Sequence, residues 1–256
     1  MSLLNGKRGV VFGVANERSI AWAVTQAVVA EGAQVALNYV NDRMARRVEP
    51  LAASVEAALC APCDVTDDDQ LDAYFAQVSE VFGGRLDFVV HSVAFADRDD
   101  LLGDFSATRR AGYALAMDVS AYSLLALTRR ALPLMTEGGS VLTMTYYGAE
   151  KVVENYNVMG AAKAALEANV RYLAAELGPK AVRVNAISAG PVKTLAAAGI
   201  PGFRDMLKHV AGRAPLRRNV EPAEVADAAV FLASDRATAI TGEVLHVDCG
   251  YHVLGV

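Results

Sequence analysis

Gly9-Val-Val-Phe-Gly-Val-Ala-Asn-Glu-Arg-Ser-Ile20 is the stretch that decides the fold. The apolar run Gly9 to Phe12 is short enough for a buried strand. Gly13 opens a small-residue turn, and Ser19 stands where a helix N-cap belongs, just before an amphipathic run from Ile20 to Glu31. A second β-branched run, Gln34 to Tyr39, follows at once. Strand, turn, helix and strand in that order make one parallel crossover unit.

The same alternation continues to the end of the chain. Further strands are expected at Ala57 to Cys63, Leu86 to Ser92, Ser140 to Thr145, Val182 to Ile187 and Glu243 to Val247. Helices are expected at Asp42 to Ala53, Asp67 to Phe82, Gly112 to Leu132, Tyr156 to Leu177, Gly202 to Ala211 and Pro222 to Ala233. No repeat, low-complexity tract or linker interrupts the pattern. The expectation is one α/β domain over residues 1–256, a Rossmann-like, doubly wound parallel sheet of about seven strands with helices on both faces.

Composition excludes several functions. With 54% hydrophobic residues the chain buries a large core, and a net charge of −5 gives no basic footprint for nucleic acid. No run approaches a membrane span, and the start lacks a signal core, so a cytoplasmic protein is expected. Cys60-Ala-Pro-Cys63 has a redox spacing but lies on a strand rather than at a helix N-terminus, which favours structural cysteines. Histidines 91, 209, 246 and 252 show no metal-ligand spacing, and no metal is expected.

In such sheets, ligands bind beyond the carboxyl ends of the strands. The turn from Gly13 to Ser19-Ile20 suits a pyrophosphate at a helix N-terminus, although the usual G-x-G-x-x-G is absent and Ser19 reads equally as a cap. The end of the second strand, with Val40, Asp42 and Arg43, is expected at the adenosine ribose; the residues alone leave NAD and NADP open. Asp64-Val65 closes the third strand, either at the adenine or as a plain turn. Thr143, Thr145 and Tyr146 close the fifth. Ser188 to Gly202 is small, apolar and short of charge, so a lid is expected at about residues 193–212, with Ala196, Ile200, Phe203 and Met206 facing an apolar substrate.

Tyr156 and Lys163 carry the chemistry. Seven residues along a helix turn the side chain by only about 20°. The phenol and ammonium therefore share a face, and the positive charge is expected to lower the tyrosine pKa. A solvated helix face is the bland alternative.

Taken together, these motifs resemble the short-chain dehydrogenase/reductase superfamily. Within it the chain is similar to the bacterial NADH-dependent enoyl-acyl-carrier-protein reductases. The resemblance covers essentially the whole length and rests on Gly13-Val-Ala-Asn-Glu-Arg-Ser-Ile-Ala-Trp22, Cys63-Asp-Val65, His91-Ser-Val-Ala-Phe-Ala96, the run from Tyr156 through Lys163 to Arg171, and the run from Val182 to Ala197. The spaced set Tyr146, Tyr156, Lys163 separates this group from ketoreductases of the same fold.

The resemblance implies reduction of trans-2-enoyl thioesters with NADH in fatty-acid biosynthesis, an acyl carrier protein as partner, and a homotetramer. It implies that Tyr156 meets the thioester carbonyl, that Lys163 holds the nicotinamide ribose, and that Tyr146 and Ala96 line the substrate. Gly13, Ser19 and Ile20 would face the pyrophosphate, Asp64 and Val65 the adenine, Val93 the adenosine side, and Val192 and Thr194 the nicotinamide end. Departures are Ala94 where the family often has Gly, Val40 where a polar residue is usual, and the charged run Asp97-Arg-Asp-Asp100. The alternatives are a ketoreductase and a non-catalytic dinucleotide-binding protein.

Overall fold

The computed structural model describes residues 2–194 and 202–255. Seven strands, β1 (Arg8–Phe12), β2 (Gln34–Tyr39), β3 (Leu59–Pro62), β4 (Phe88–His91), β5 (Gly139–Thr145), β6 (Val182–Ala189) and β7 (Val244–Val247), form one sheet. Their order is β3-β2-β1-β4-β5-β6-β7 and every pairing is parallel. The order reverses between β1 and β4, which opens a crevice beyond their carboxyl ends.

Both faces of the sheet are covered, and strand alternation sorts the side chains between them. Val11, Leu37, Val90, Leu142 and Ile187 join the core on one face, with helices α1 (Ile20–Ala30) and α8 (Pro222–Ala233). Val10, Ala36, Val89, Val141 and Ala186 join the core on the other, with α3 (Asp68–Val81) and α6 (Asn157–Leu177). Each fully buried Val or Leu stabilises the fold by about 1.5–3 kcal/mol of transfer free energy. The helix starts are built locally: Ser19 caps α1, Asn41 caps α2 (Asp42–Ser54), and Asp67 caps α3.

One expected helix is interrupted. The run Gly112 to Leu132 is split into α4 (Arg110–Met117) and α5 (Ser123–Ala131) by a wide π turn at Asp118–Tyr122. That turn carries the buried Ser120, whose hydroxyl accepts from Phe95 N at 3.0 Å. It also turns Ser123 towards His91 on β4. These partners lie far away in sequence, so periodicity could not disclose the break. The loop after β4 also holds two short 3₁₀ turns, Arg98–Asp100 and Phe105–Ala107, where no element was expected.

Cys60 and Cys63 lie on and just after β3 as free thiols, pushed up to about 11 and about 12 by burial, and are therefore poor nucleophiles.

Candidate active site

The first turn admits only glycine at its start. Gly13 has φ +101°, and a Cβ there would overlap the Ser92 carbonyl beyond β4. The Ser19 hydroxyl donates to Asn16 O at 2.7 Å and accepts from Trp22 N at 3.3 Å. Its side chain is thus engaged in closing the turn and capping α1.

Two cavities lie beyond the strand ends. The first, of about 380 Å³, is lined by Gly13, Asn38, Val40, Asp64, Val65 and Val93 among others. Asp64 Oδ1 accepts from Thr66 N at 2.9 Å and from Thr66 Oγ1 at 2.8 Å, so it shapes the turn while its residue lines the cavity. Val40 is 46% exposed, and Asn41 is occupied as the α2 cap. Asn38 was not singled out from the sequence. Its amide donates to Cys63 O at 2.9 Å, but its Oδ1 is buried with no hydrogen-bond partner among the described residues. An unpartnered acceptor beside a concave apolar surface fits a nucleoside that brings its own donors. The signal was present as a lone Asn inside Gln34-Val-Ala-Leu-Asn-Tyr39.

The second cavity, of about 360 Å³, is lined by Ile20, Ala96, Tyr146, Tyr156, Val192, Thr194, Phe203 and Met206 among others. Phe95 borders both cavities. Ile20, expected with Gly13 and Ser19 on the pyrophosphate side, lines this second cavity. Helix α7 (Phe203–Arg213) brings in Phe203 and Met206. Ala196 and Ile200 lie outside the described residues, as do all of residues 195–201 of the expected lid.

Tyr156 and Tyr146 pack edge to face with ring centroids 5.0 Å apart. Tyr146 Oη donates to Met206 Sδ at 3.3 Å. Tyr156 stands at the N-cap of α6 and is buried. The expected depression of its pKa is reversed: burial first, then Tyr146 and Glu167, push the phenol up. Tyr146 is pushed up to about 12, mainly by burial. Lys163 is buried behind this wall, 5% exposed, and its Nζ donates to Met144 O at 2.7 Å. Burial lowers it to about 8, against the opposing pull of Glu167. For Lys163 desolvation outweighs the pull of Glu167, while for Tyr156 burial and its neighbours all act in the same direction. The phenol is a neutral O–H donor, which is the form that can give a hydrogen bond to a developing oxyanion.

The hydroxyls on β5 are committed elsewhere. Thr145 donates to Glu167 Oε1 at 2.7 Å, which ties β5 to α6 next to Tyr146. Thr143 meets His91 Nδ1 at 2.7 Å, and His91 Nε2 meets Ser123 Oγ at 2.8 Å. Ser123 gives its own proton to Val119 O, so the assignment that satisfies every group puts the His91 proton on Nε2. Burial and then Lys163 lower His91 to about 3, and it is a neutral structural group.

A parallel sheet of this order, a cavity with an unpartnered Asn38 oxygen at its switch point and a buried Tyr156 and Lys163 beside a second, apolar cavity define a dinucleotide-dependent oxidoreductase of the short-chain type. The sequence profile described as "Enoyl-(Acyl carrier protein) reductase" matches residues 13–252. The chain is 54% identical to enoyl-[acyl-carrier-protein] reductase [NADH] 1 of Rhizobium meliloti (strain 1021), over 99% of this chain and 93% of that protein. It is 51% identical to the [NADH] FabI reductase of Bacillus cereus over the full length of both. Its backbone matches the crystal structure of a Bacillus cereus enoyl-acyl carrier protein reductase, with NADP+ and indole naphthyridinone, at TM-score 0.98, 51% identity and full coverage of both chains. It matches the enoyl-[acyl-carrier-protein] reductase (NADH) from Aquifex aeolicus VF5 at TM-score 0.96 and 49% identity, over 99% of each chain. The chain belongs to the enoyl-(acyl carrier protein) reductase family.

Proposed function

We propose that this chain reduces trans-2-enoyl-acyl-carrier-protein thioesters to saturated acyl thioesters with NADH, in fatty-acid biosynthesis. The observation that carries the residue roles is the neutral, buried phenol of Tyr156 in the wall of an apolar cavity. NADH, when bound, supplies the hydride that reaches the β carbon of the enoyl group. Gly13, Ser19, Val40, Asp64, Val65 and Val93 form the adenosine and diphosphate side. Ile20 adds to the diphosphate side, and Val192, Thr194 and Lys163 form the nicotinamide end, with the Lys163 ammonium available to ribose hydroxyls.

As the double-bond electrons move towards the thioester, negative charge gathers on the carbonyl oxygen. Tyr156 donates its O–H there, in a water-poor site where one such donor is worth about 2.7–4 kcal/mol. A proton delivered to the α carbon completes the saturated product. Tyr146, Ala96, Phe203 and Met206 form the apolar wall that holds the acyl group. In the same reading, the segment at about 193–212, with Ala196 and Ile200, covers the acyl chain.

The acyl carrier protein presents the thioester. The assembly proposed is a homotetramer, for which the edge strand β7 and the exposed Tyr172 on α6 supply surface; light scattering at micromolar concentration reads it directly, and a monomer would exclude it. We place the enzyme in the cytoplasm; among the described residues no helix is long and apolar enough to cross a membrane. Mass analysis of a but-2-enoyl carrier thioester after incubation with enzyme and NADH tests the reaction. The acyl group should gain two hydrogens, and recovery of unreduced thioester would reject it.

A further inference from the structure

The run Asp97-Arg-Asp-Asp100 is left unexplained by the roles given so far. Its four charges are not equivalent. Asp100 is buried and clamped by Arg109, with Nε to Oδ1 at 3.1 Å, Nη2 to Oδ2 at 2.6 Å and the backbone N–H to Oδ1 at 3.1 Å. The same guanidinium reaches Asp97 Oδ2 at 3.1 Å. These hydrogen bonds hold the Asp100 carboxyl below the usual range. Gly112 on α4 makes the room, since a Cβ there would overlap the Asp100 carboxylate.

The 3₁₀ turn Arg98–Asp100 is therefore anchored, and two of its neighbouring acids are engaged by Arg109. Arg98 sits between them, exposed, with no ion pair or side-chain hydrogen bond among the described residues. Asp99 is exposed and does not line the cavity. Arg98 is the only charged side chain among the described residues that line the Tyr156 cavity.

A lone guanidinium at the rim of an apolar cavity suits an anion that must lie at the mouth while an uncharged group lies inside. The acyl chain and thioester carry no charge. The pantetheine arm that links them to the carrier ends in a phosphodiester. Building on the enoyl-thioester reading above, we infer that Arg98 is a specificity-determining residue that binds the phosphate of this arm. Its planar fork of donors matches phosphate oxygens better than an ammonium does.

The test uses but-2-enoyl thioesters of N-acetylcysteamine, pantetheine, 4′-phosphopantetheine and the intact carrier protein, with NADH oxidation followed for wild type, R98Q and R98K. Thermal melts confirm that the exposed substitutions leave the protein folded. In R98Q the ratio of kcat/KM for the phosphopantetheine thioester to that for the pantetheine thioester should fall about tenfold, mostly through KM. R98K should keep part of the preference, and the wild-type ratio should shrink as salt is raised. An unchanged ratio in R98Q overturns the inference. So does an equal fall on both pantetheine substrates relative to N-acetylcysteamine, which would mean that Arg98 reads the amides of the arm. A response confined to the thioester on intact carrier protein also overturns it, in favour of an acidic protein surface. If wild type oxidises NADH with none of the thioesters, it is the enoyl-thioester reading that fails.

Discussion

Tyr156→Phe removes one hydroxyl and little else. The ring keeps its edge-to-face packing on Tyr146, with centroids 5.0 Å apart, and stays buried. Because burial keeps the phenol protonated, the loss is that of a neutral donor aimed where charge develops. Such a donor is worth about 10²–10³ in kcat, or roughly 2.7–4 kcal/mol. The Tyr146 hydroxyl already donates to Met206 Sδ at 3.3 Å, so Tyr146→Phe should cost only about tenfold, the scale of one ordinary hydrogen bond. Steady-state NADH oxidation with a but-2-enoyl thioester separates the two, with NADH dissociation constants and melting curves measured alongside. Tyr156→Phe should bind NADH almost as wild type does and turn over hundreds of times more slowly. Wild-type kcat in Tyr156→Phe, or a larger loss in Tyr146→Phe, would refute the assignment of the donor.

Three further outcomes are expected. Lys163 is lowered to about 8, and its charged form is the one that holds ribose hydroxyls, so NADH affinity should be present below that pH and fall as pH rises through it. Calorimetric titration across pH 6.5–9.5 checks this, and a slope that persists in Lys163→Met would assign it elsewhere. Val40, exposed at the adenosine cavity, offers no cation to a 2′-phosphate. Val40→Arg should therefore raise kcat/KM with NADPH relative to NADH, about tenfold on the scale of one charge-assisted hydrogen bond, and an unchanged ratio would show that the ribose lies elsewhere. His91 is neutral when folded down to about pH 3 but protonates near 6.5 when unfolded. The unfolded state then binds more protons between those values, so stability is present above about pH 6.5 and falls on acidification by up to about 1.4 kcal/mol per unit. Urea unfolding between pH 5 and 6.5 should show a shallower dependence in His91→Gln, and equal slopes would mean that His91 is not the proton-linked group.

Local signals carried the fold a long way. Short apolar runs marked every strand to within two residues; the central strands β4 and β5 are buried almost throughout and read as unbroken apolar stretches, while the edge strands β3 and β7 are only partly buried. Gly13, Tyr156 and Lys163 could be singled out because their spacing lies within one element or turn. What was hidden depends on partners distant in the chain. The π turn at Asp118–Tyr122 answers Phe95 and His91, the unpartnered oxygen of Asn38 depends on the cavity around it, and the isolation of Arg98 depends on Arg109. The direction of the Tyr156 shift was misread for the same reason. Spacing suggested a neighbouring ammonium, but the shift is set by burial, a property of the assembled core, and by Tyr146 and Glu167, which push the same way.

The central claim is that hydride is delivered to the β carbon of an enoyl thioester. The most direct test uses NADH deuterated at both C4 positions of the nicotinamide, with but-2-enoyl and 3-oxobutanoyl carrier thioesters offered side by side and the products examined by NMR. One deuterium should appear on C3 of a saturated butanoyl thioester, with the 3-oxo substrate untouched. Deuterium on the carbinol carbon of a 3-hydroxy product, with the enoyl thioester left intact, would contradict the account.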